Sequence, residues 1–173
     1  MWDVTTTPFS VGSGFSSDRW QYTNHSAKLI FTNGVDSPQV FDGTTLTAAN
    51  FTGSPGSFVP ATMWGVNTFK GRAFYWAEGG QSYWYATAGA YQGVLAEFDM
   101  ASQLQTGGSL VQMVTWTLDS GSGIDDLAVF IFSTGETLVY SGSDPGDAND
   151  WSLIGRFQIG EPLGPRAHAK VGG

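Results

Sequence analysis

The side chains of this chain best suited to chemistry are Asp119, Asp125 and Asp126, three carboxylates set around Gly121 and Gly123. Paired carboxylates can hydrolyse glycosides, and an oxygen-rich loop can hold Ca2+. The spacing matches no EF-hand loop, however, and Asp and Gly are ordinary residues of turns between strands. Turn chemistry, a Ca2+ site and catalysis all stay open for this segment, with turn chemistry the expectation. His25 and His168 are the only histidines, and no Gly-x-Ser-x-Gly elbow accompanies them. Gly12-Ser13-Gly14 and Gly121-Ser122-Gly123 lack the Lys and the helix of a phosphate loop. Both histidines are expected in turns or on the surface. With no cysteine, disulfides and thiolate metal sites are excluded. The chain is expected not to be an enzyme, with no catalytic, cofactor-binding or metal-ligating residue assigned and no cofactor.

A different chemistry is open to the aromatic residues. Trp64, Trp76, Trp84, Trp116 and Trp151, with Tyr75, Tyr83, Tyr85 and Tyr91, are numerous enough to build sugar-stacking platforms. Aromatic side chains fill cores first, so core packing is the expectation and a row of exposed rings would be the mark of a lectin. The Asp144-Pro145-Gly146-Asp147 segment is similar to a sialidase-type Asp-box loop ahead of Trp151, but Ser143 abuts Asp144 and the Ser-x-Asp spacing fails.

The elements that must position these residues are short strands. Lys28 to Gly34 leading to Val40-Phe41-Asp42-Gly43, Arg72 to Trp76 leading to Ser82 to Tyr85, and Leu127 to Phe132 leading to Thr137 to Gly142 share one form: an apolar run, a Gly-bearing turn and a second run. Ile30, Tyr75 and Ile131 mark the equivalent points, a spacing that suggests propeller blades, each needing neighbours to bury its faces. The expected fold is all-β, with β-propeller-like blades of antiparallel hairpins belonging to a larger propeller. Residues 1–27 are expected to be a lead-in ending in a strand at Arg19-Trp20-Gln21-Tyr22, and 28–173 about three blade units with an irregular insertion near 87–109. Within it, Leu95 to Met100 reads as a short strand or one helical turn. Residues 50–62, with Pro55-Gly56 and Pro60, read as a loop between units. Residues 119–126 read as a turn-rich loop, and Trp151 to Ile159 as a last strand.

Charge is distributed unevenly. The chain has 15 acidic and 7 basic residues, a net of −8, and no Lys or Arg falls between Arg72 and Arg156. A nucleic-acid grip needs cations to displace condensed counterions, so this stretch would repel phosphate. The opening Met1-Trp2-Asp3-Val4 has neither the basic nor the apolar part of a signal peptide, and no apolar run approaches the ~18 residues that span a membrane.

The order of several patches carries a family resemblance. They are Tyr83-Trp84-Tyr85, Gly89-Ala90-Tyr91-Gln92-Gly93, Phe98-Asp99, Gly107-Gly108, the run from Thr115 to Asp126, Val139 to Pro145, Trp151 to Gly155 and Pro162 to Arg166. Together with Asn33 to Pro38 and Phe41-Asp42-Gly43, this order resembles the tail tubular, or nozzle-type, virion proteins of short-tailed bacteriophages. The likeness covers roughly residues 19–173 and rests on no single diagnostic motif.

The resemblance implies a virion structural protein of the tail tube or nozzle ring, made in the host cytoplasm and concerned with assembly and DNA ejection. It implies a homo-oligomeric ring, contacts with other tail or portal-adaptor proteins, transient passage of DNA without specific binding, and no membrane. Proteins of that kind are much longer than this chain, and propellers typically close with 4–8 blades, so the chain is expected to be a fragment of a larger unit, or one of several chains that complete one another, or a smaller open sandwich. The Lys/Arg-free stretch is expected to face or flank the channel. The alternative reading is a carbohydrate-binding, lectin-like propeller or a receptor-binding module of a tail fibre.

Overall fold

Turn residues cut the chain into short strands, and each strand finds its neighbour in sequence. The computed structural model describes residues 2–3, 9–119 and 124–168. A small ribbon of β1 (Trp2–Asp3) and β2 (Phe9–Ser10) precedes three four-stranded sheets. The first sheet contains β3 (Gln21–His25), β4 (Lys28–Thr32), β5 (Gln39–Phe41) and β6 (Leu46–Ala48). The second contains β7 (Met63–Phe69), β8 (Arg72–Ala77), β9 (Ser82–Ala86) and β10 (Leu95–Asp99). The third contains β11 (Leu110–Asp119), β12 (Ile124–Phe132), β13 (Glu136–Ser141) and β14 (Ser152–Gln158). All pairings are antiparallel between consecutive strands, so each sheet is a meander of the form a propeller blade takes. The protein is all-β; helix among the described residues is limited to 3-10 turns at Pro60–Thr62 and Ala101–Gln103.

Several boundaries differ from the sequence reading, each for a local reason. β3 joins β4 through Ser26 and Ala27, at φ 49° and 57°, the left-handed conformation that a two-residue hairpin demands at both positions. Ser-Ala carries none of the Gly or Asn signal for such a turn, so the turn is unannounced and the strand expected at residues 19–22 lies instead at Gln21–His25. β7 is likewise unannounced: it opens directly after the Pro60–Thr62 turn and reverses at Lys70-Gly71. Residues 119–126 are not one long loop. β11 runs on to Asp119 and β12 begins at Ile124, so Asp125 and Asp126 are strand residues.

The register also corrects the alignment of the repeats. Pairing places Thr23, Ile30 and Val40 across the first sheet, Asn67, Phe74 and Tyr85 across the second, and Val114, Val129 and Val139 across the third. Ile30, Phe74 and Val129 are therefore the equivalent points, and Tyr75 is one residue out of step on the opposite face. Strands buried on both faces read as continuous apolar runs and hide their period of two, so a slip of one residue is invisible in the sequence.

Burial on both faces of the second sheet makes two cores. Between the first and second sheets lie Ile30, Met63, Val66, Ala73, Tyr75, Trp84, Ala86 and Leu95, closed by Phe51 and Phe58 from the inter-sheet loop. Between the second and third lie Trp64, Phe69, Phe74, Trp76, Tyr83, Tyr85, Met113, Phe130, Leu138, Tyr140 and Trp151. Tyr83 stacks on Phe130 at 4.8 Å and Tyr140 on Trp151 at 5.2 Å, offset contacts that aromatic quadrupoles favour. No sheet could bury these rings alone, which is why the three must stack.

Candidate functional site

The surface that the three sheets build together is a row of their first strands. β3 lies beside β7, and β7 beside β11. Polar side chains stitch the row. The Thr23 hydroxyl lies 3.4 Å from Asn67 Oδ1 and 3.3 Å from Thr68 Oγ1. Thr68 Oγ1 donates to the Asn24 carbonyl at 3.1 Å, and Asn67 Nδ2 donates to the Met113 carbonyl at 2.9 Å.

Two β-bulges repeat within the row. Trp64 in β7 and Val111 in β11 are extra residues that leave a carbonyl off the ladder. Each carbonyl accepts a side-chain donor from the preceding sheet: Thr32 Oγ1 to Trp64 at 3.1 Å, and Trp76 Nε1 to Val111 at 3.2 Å.

Polar side chains recur along the row. Its described side chains include Gln21, Thr23, Asn24, Asn67, Thr68, Gln112 and Thr115, with no Asp, Glu, Lys or Arg among the described ones. A cleft of about 630 Å3 opens against it, lined by Gln21, Tyr22, Asn67, Gln112, Arg166 and His168. Arg166 enters from the far end of the chain, its guanidinium donating to the Trp20 carbonyl at 2.6 Å. Gln21 Nε2 and Gln112 Oε1 are buried here without a hydrogen-bond partner.

Several acidic residues of the Lys/Arg-free stretch are engaged in local contacts. Asp150 Oδ2 accepts from the Ser143 and Asp144 amides at 2.6 and 2.7 Å, which hold its carboxyl below the usual range. Asp144 pairs with Arg72 at 2.8 Å, and Arg72 also donates to the Ser143 carbonyl at 2.9 Å, tying the second sheet to the β13–β14 loop. Glu97 accepts from the Ser57 hydroxyl, and Glu78 lies 3.5 Å from Arg19. Glu136 is buried and accepts from the Gln105 and Thr106 amides and the Thr106 hydroxyl. Burial alone would raise its carboxyl; these donors outweigh burial and hold it below its ordinary value.

The three aspartates of the sequence reading do not form a demonstrated centre. Asp126 accepts from the Thr117 hydroxyl at 2.7 Å across the β11–β12 pair. The side chains of Asp119 and Asp125, and residues 120–123 between the strands, lie outside the described residues. Among the described residues, no group of three or more His, Asp or Glu is placed to hold a metal.

Of the nine aromatics considered as sugar platforms, Trp64, Trp76, Trp84, Trp151, Tyr75, Tyr83 and Tyr85 are buried. Tyr91 is half-buried, and Trp116 alone is exposed, at 51%. Burial pushes the Tyr75 and Tyr83 hydroxyls far above their ordinary pKa, as expected of core residues. His168 is exposed, but His25 is buried at the end of β3, its ring 6.2 Å from Tyr91. A histidine preceding Ser-Ala gives no sign of that burial; the loop around Tyr91 covers it. The sequence reading missed the row of first strands, because β7 went unseen and the row exists only once three sheets stack. No protein-family model matches the chain, and a search of curated proteins finds no significant relative.

Proposed function

We propose that this chain is a structural part of a phage-type virion, a component of the tail tube or nozzle ring through which DNA leaves the particle. The observation that carries the reading is the row of first strands: three blade-like meanders set side by side, stitched by amides and hydroxyls and without fixed charge among the described side chains. Affinity for a phosphate backbone comes chiefly from Lys and Arg that release counterions. Apart from Arg166 at its cleft, the row's described side chains offer a passing duplex no Lys or Arg to hold, which suits a conduit. The resemblance of residues 19–173 to tail tubular proteins supports the same assignment, as does a pair of aromatic cores suited to rigidity rather than turnover. Interactions with ring neighbours and with portal-adaptor proteins form part of this proposal.

The test is to raise antibodies against the 173-residue chain and apply them, gold-labelled, to purified particles alongside peptide mass spectrometry of those particles. The proposal expects label at the tail and peptides in the particle proteome. Particles that infect normally and contain none of the protein would overturn it. The lectin-like alternative has no row of exposed rings among the described residues to support it.

A further inference from the structure

The first strands of the three sheets lie beside one another, so the free edges of the sheets are their fourth strands. These edges are finished differently. β6 is only three residues long. β10 is closed by the loop before it: the Leu95 amide donates to Ser54 Oγ at 3.1 Å, and Glu97 accepts from the Ser57 hydroxyl. Glu97 and Asp99 also leave that edge charged and exposed. Shortness, cover and charge are the devices that keep an edge from pairing with another chain.

β14 has none of them. It runs for seven residues with Arg156 its single charge. Ile154 at 53% and Phe157 at 54% exposure, with Ile159 at 46% just beyond the strand, leave large apolar side chains in the open. Among the described residues, no hydrogen bond reaches the β14 main chain outside its pairing with β13. The Ile159 amide points inward, donating to the Gly135 carbonyl at 2.9 Å. Alternate residues of an antiparallel strand turn the other way, so Arg156 and Gln158 present N–H and C=O outward.

We infer that β14 pairs antiparallel with β14 of a second copy of this chain, about a two-fold axis at Phe157. The side chains select both the register and the occupant. Centred on Arg156, the pair would set two guanidinium groups directly opposite each other, which is destabilising. Centred nearer the start of the strand, it would meet the β-bulge at Ile154, where the ladder is already broken.

Centred on Phe157, each Arg156 lies opposite Gln158 of the second copy, and the two residues exchange both main-chain hydrogen bonds. The two Phe157 rings meet at a non-hydrogen-bonded position, where facing side chains approach most closely. Ile159 of the second copy comes opposite Gly155, against the Phe157 ring that leans over this glycine; a β-carbon there would lie 2.6 Å from Phe157 Cε2. The edge therefore calls for an uncharged residue facing Arg156, an aromatic facing Phe157 and a small residue facing Ile159. Residues 155–159 read in reverse supply all three. So short a strand pair falls below the roughly 1,200 Å2 of a stable interface, which makes this a weak dimer that dissociates on dilution.

The chain has no cysteine, so Phe157→Cys gives it a single thiol. Facing residues at a non-hydrogen-bonded position have Cα atoms about 4.5 Å apart, within disulfide reach. Under mild oxidation, purified Phe157→Cys protein should form a disulfide-linked dimer at least tenfold faster than Ile154→Cys, off the axis, or Leu163→Cys, fully exposed. Equal rates at the three positions, or no dimer at 157, would overturn the inference. So would oxidation in a cell extract that joins Phe157→Cys to another protein and leaves no homodimer.

Sedimentation equilibrium needs no thiol. The parent should show a concentration-dependent equilibrium of monomer and dimer. Phe157→Lys, which sets two ammonium groups at the axis, should be monomeric with its far-UV circular dichroism unchanged. A parent that stays monomeric at every concentration, or a dimer that survives Phe157→Lys, would refute the pairing. A two-fold contact is distinct from the head-to-tail contacts that close a ring, so it stands or falls apart from the virion assignment.

Discussion

The packing of the second sheet on the third can be tested at one glycine. A β-carbon added at Gly65 would lie 2.0 Å from Cε2, 2.1 Å from Cζ2 and 2.5 Å from Nε1 of Trp76. The indole has nowhere to go: it is 1% exposed, packed between sheets, and donates to the Val111 carbonyl. Gly65→Ala therefore forces the ring or the strand to move, at an overpacking cost of about 1–3 kcal/mol. Losing the indole hydrogen bond adds about 1 kcal/mol, and Ala returns roughly 0.5–1 kcal/mol through reduced backbone entropy in the unfolded chain. The net destabilisation is about 2 kcal/mol, which for a domain of this size lowers Tm by roughly 4–8 °C.

The decisive form is a double-mutant cycle. Trp76→Leu alone should cost about 2–4 kcal/mol by leaving a cavity. With the ring gone, the methyl group that Gly65→Ala introduces has space, so the double variant should be more stable than the sum of the singles by at least ~1 kcal/mol. Thermal unfolding followed by far-UV circular dichroism measures all four proteins without relying on Trp76 as a probe. A Gly65→Ala protein that melts with the parent, or a cycle that closes additively, would refute the proposed contact.

Three further outcomes follow from the same structure. Thr32→Val keeps the shape but leaves the buried Trp64 carbonyl without its donor, and should cost about 1–3 kcal/mol in urea unfolding. Glu136 has a folded-state pKa below its unfolded value, so its contribution to stability is full above the unfolded pKa and is lost as pH falls through the folded one. Glu136→Gln should therefore flatten the acid limb of the stability curve below about pH 4, and a limb of unchanged steepness would count against the role of the 105–106 amides. Arg72→Met removes the tie to Asp144 and the Ser143 carbonyl; amide exchange should quicken at residues 143–150 while the strand centres stay protected, with a stability loss of about 1 kcal/mol or less for a partly exposed pair.

The class of fold and much of its punctuation were legible in the order of residues. Gly79-Gly80 and Gly135 end strands where the sequence reading places turns, because positive φ at Gly79 and Gly135 is a local requirement that local residues reveal. The β-rich runs of β8, β9, β12 and β13 are legible for the same reason: their apolar, branched and aromatic content suits a pleated, buried strand.

Which face each residue takes, and what that face meets, depends on the stacking of the sheets. Tyr75 and Phe74 are both fully buried, yet they belong to different cores, and no pattern in an all-apolar run distinguishes them. The Ser26-Ala27 turn and β7 become strandlike context only through partners that the stack supplies. Most of the acids, conspicuous in the sequence as a block, are scattered by the fold into separate loop contacts. The row of first strands and the pair of inter-sheet cores have no linear signature at all. Both arise from side chains dozens of residues apart meeting across sheets, and the order of residues along a strand does not encode the neighbour on which it will stack.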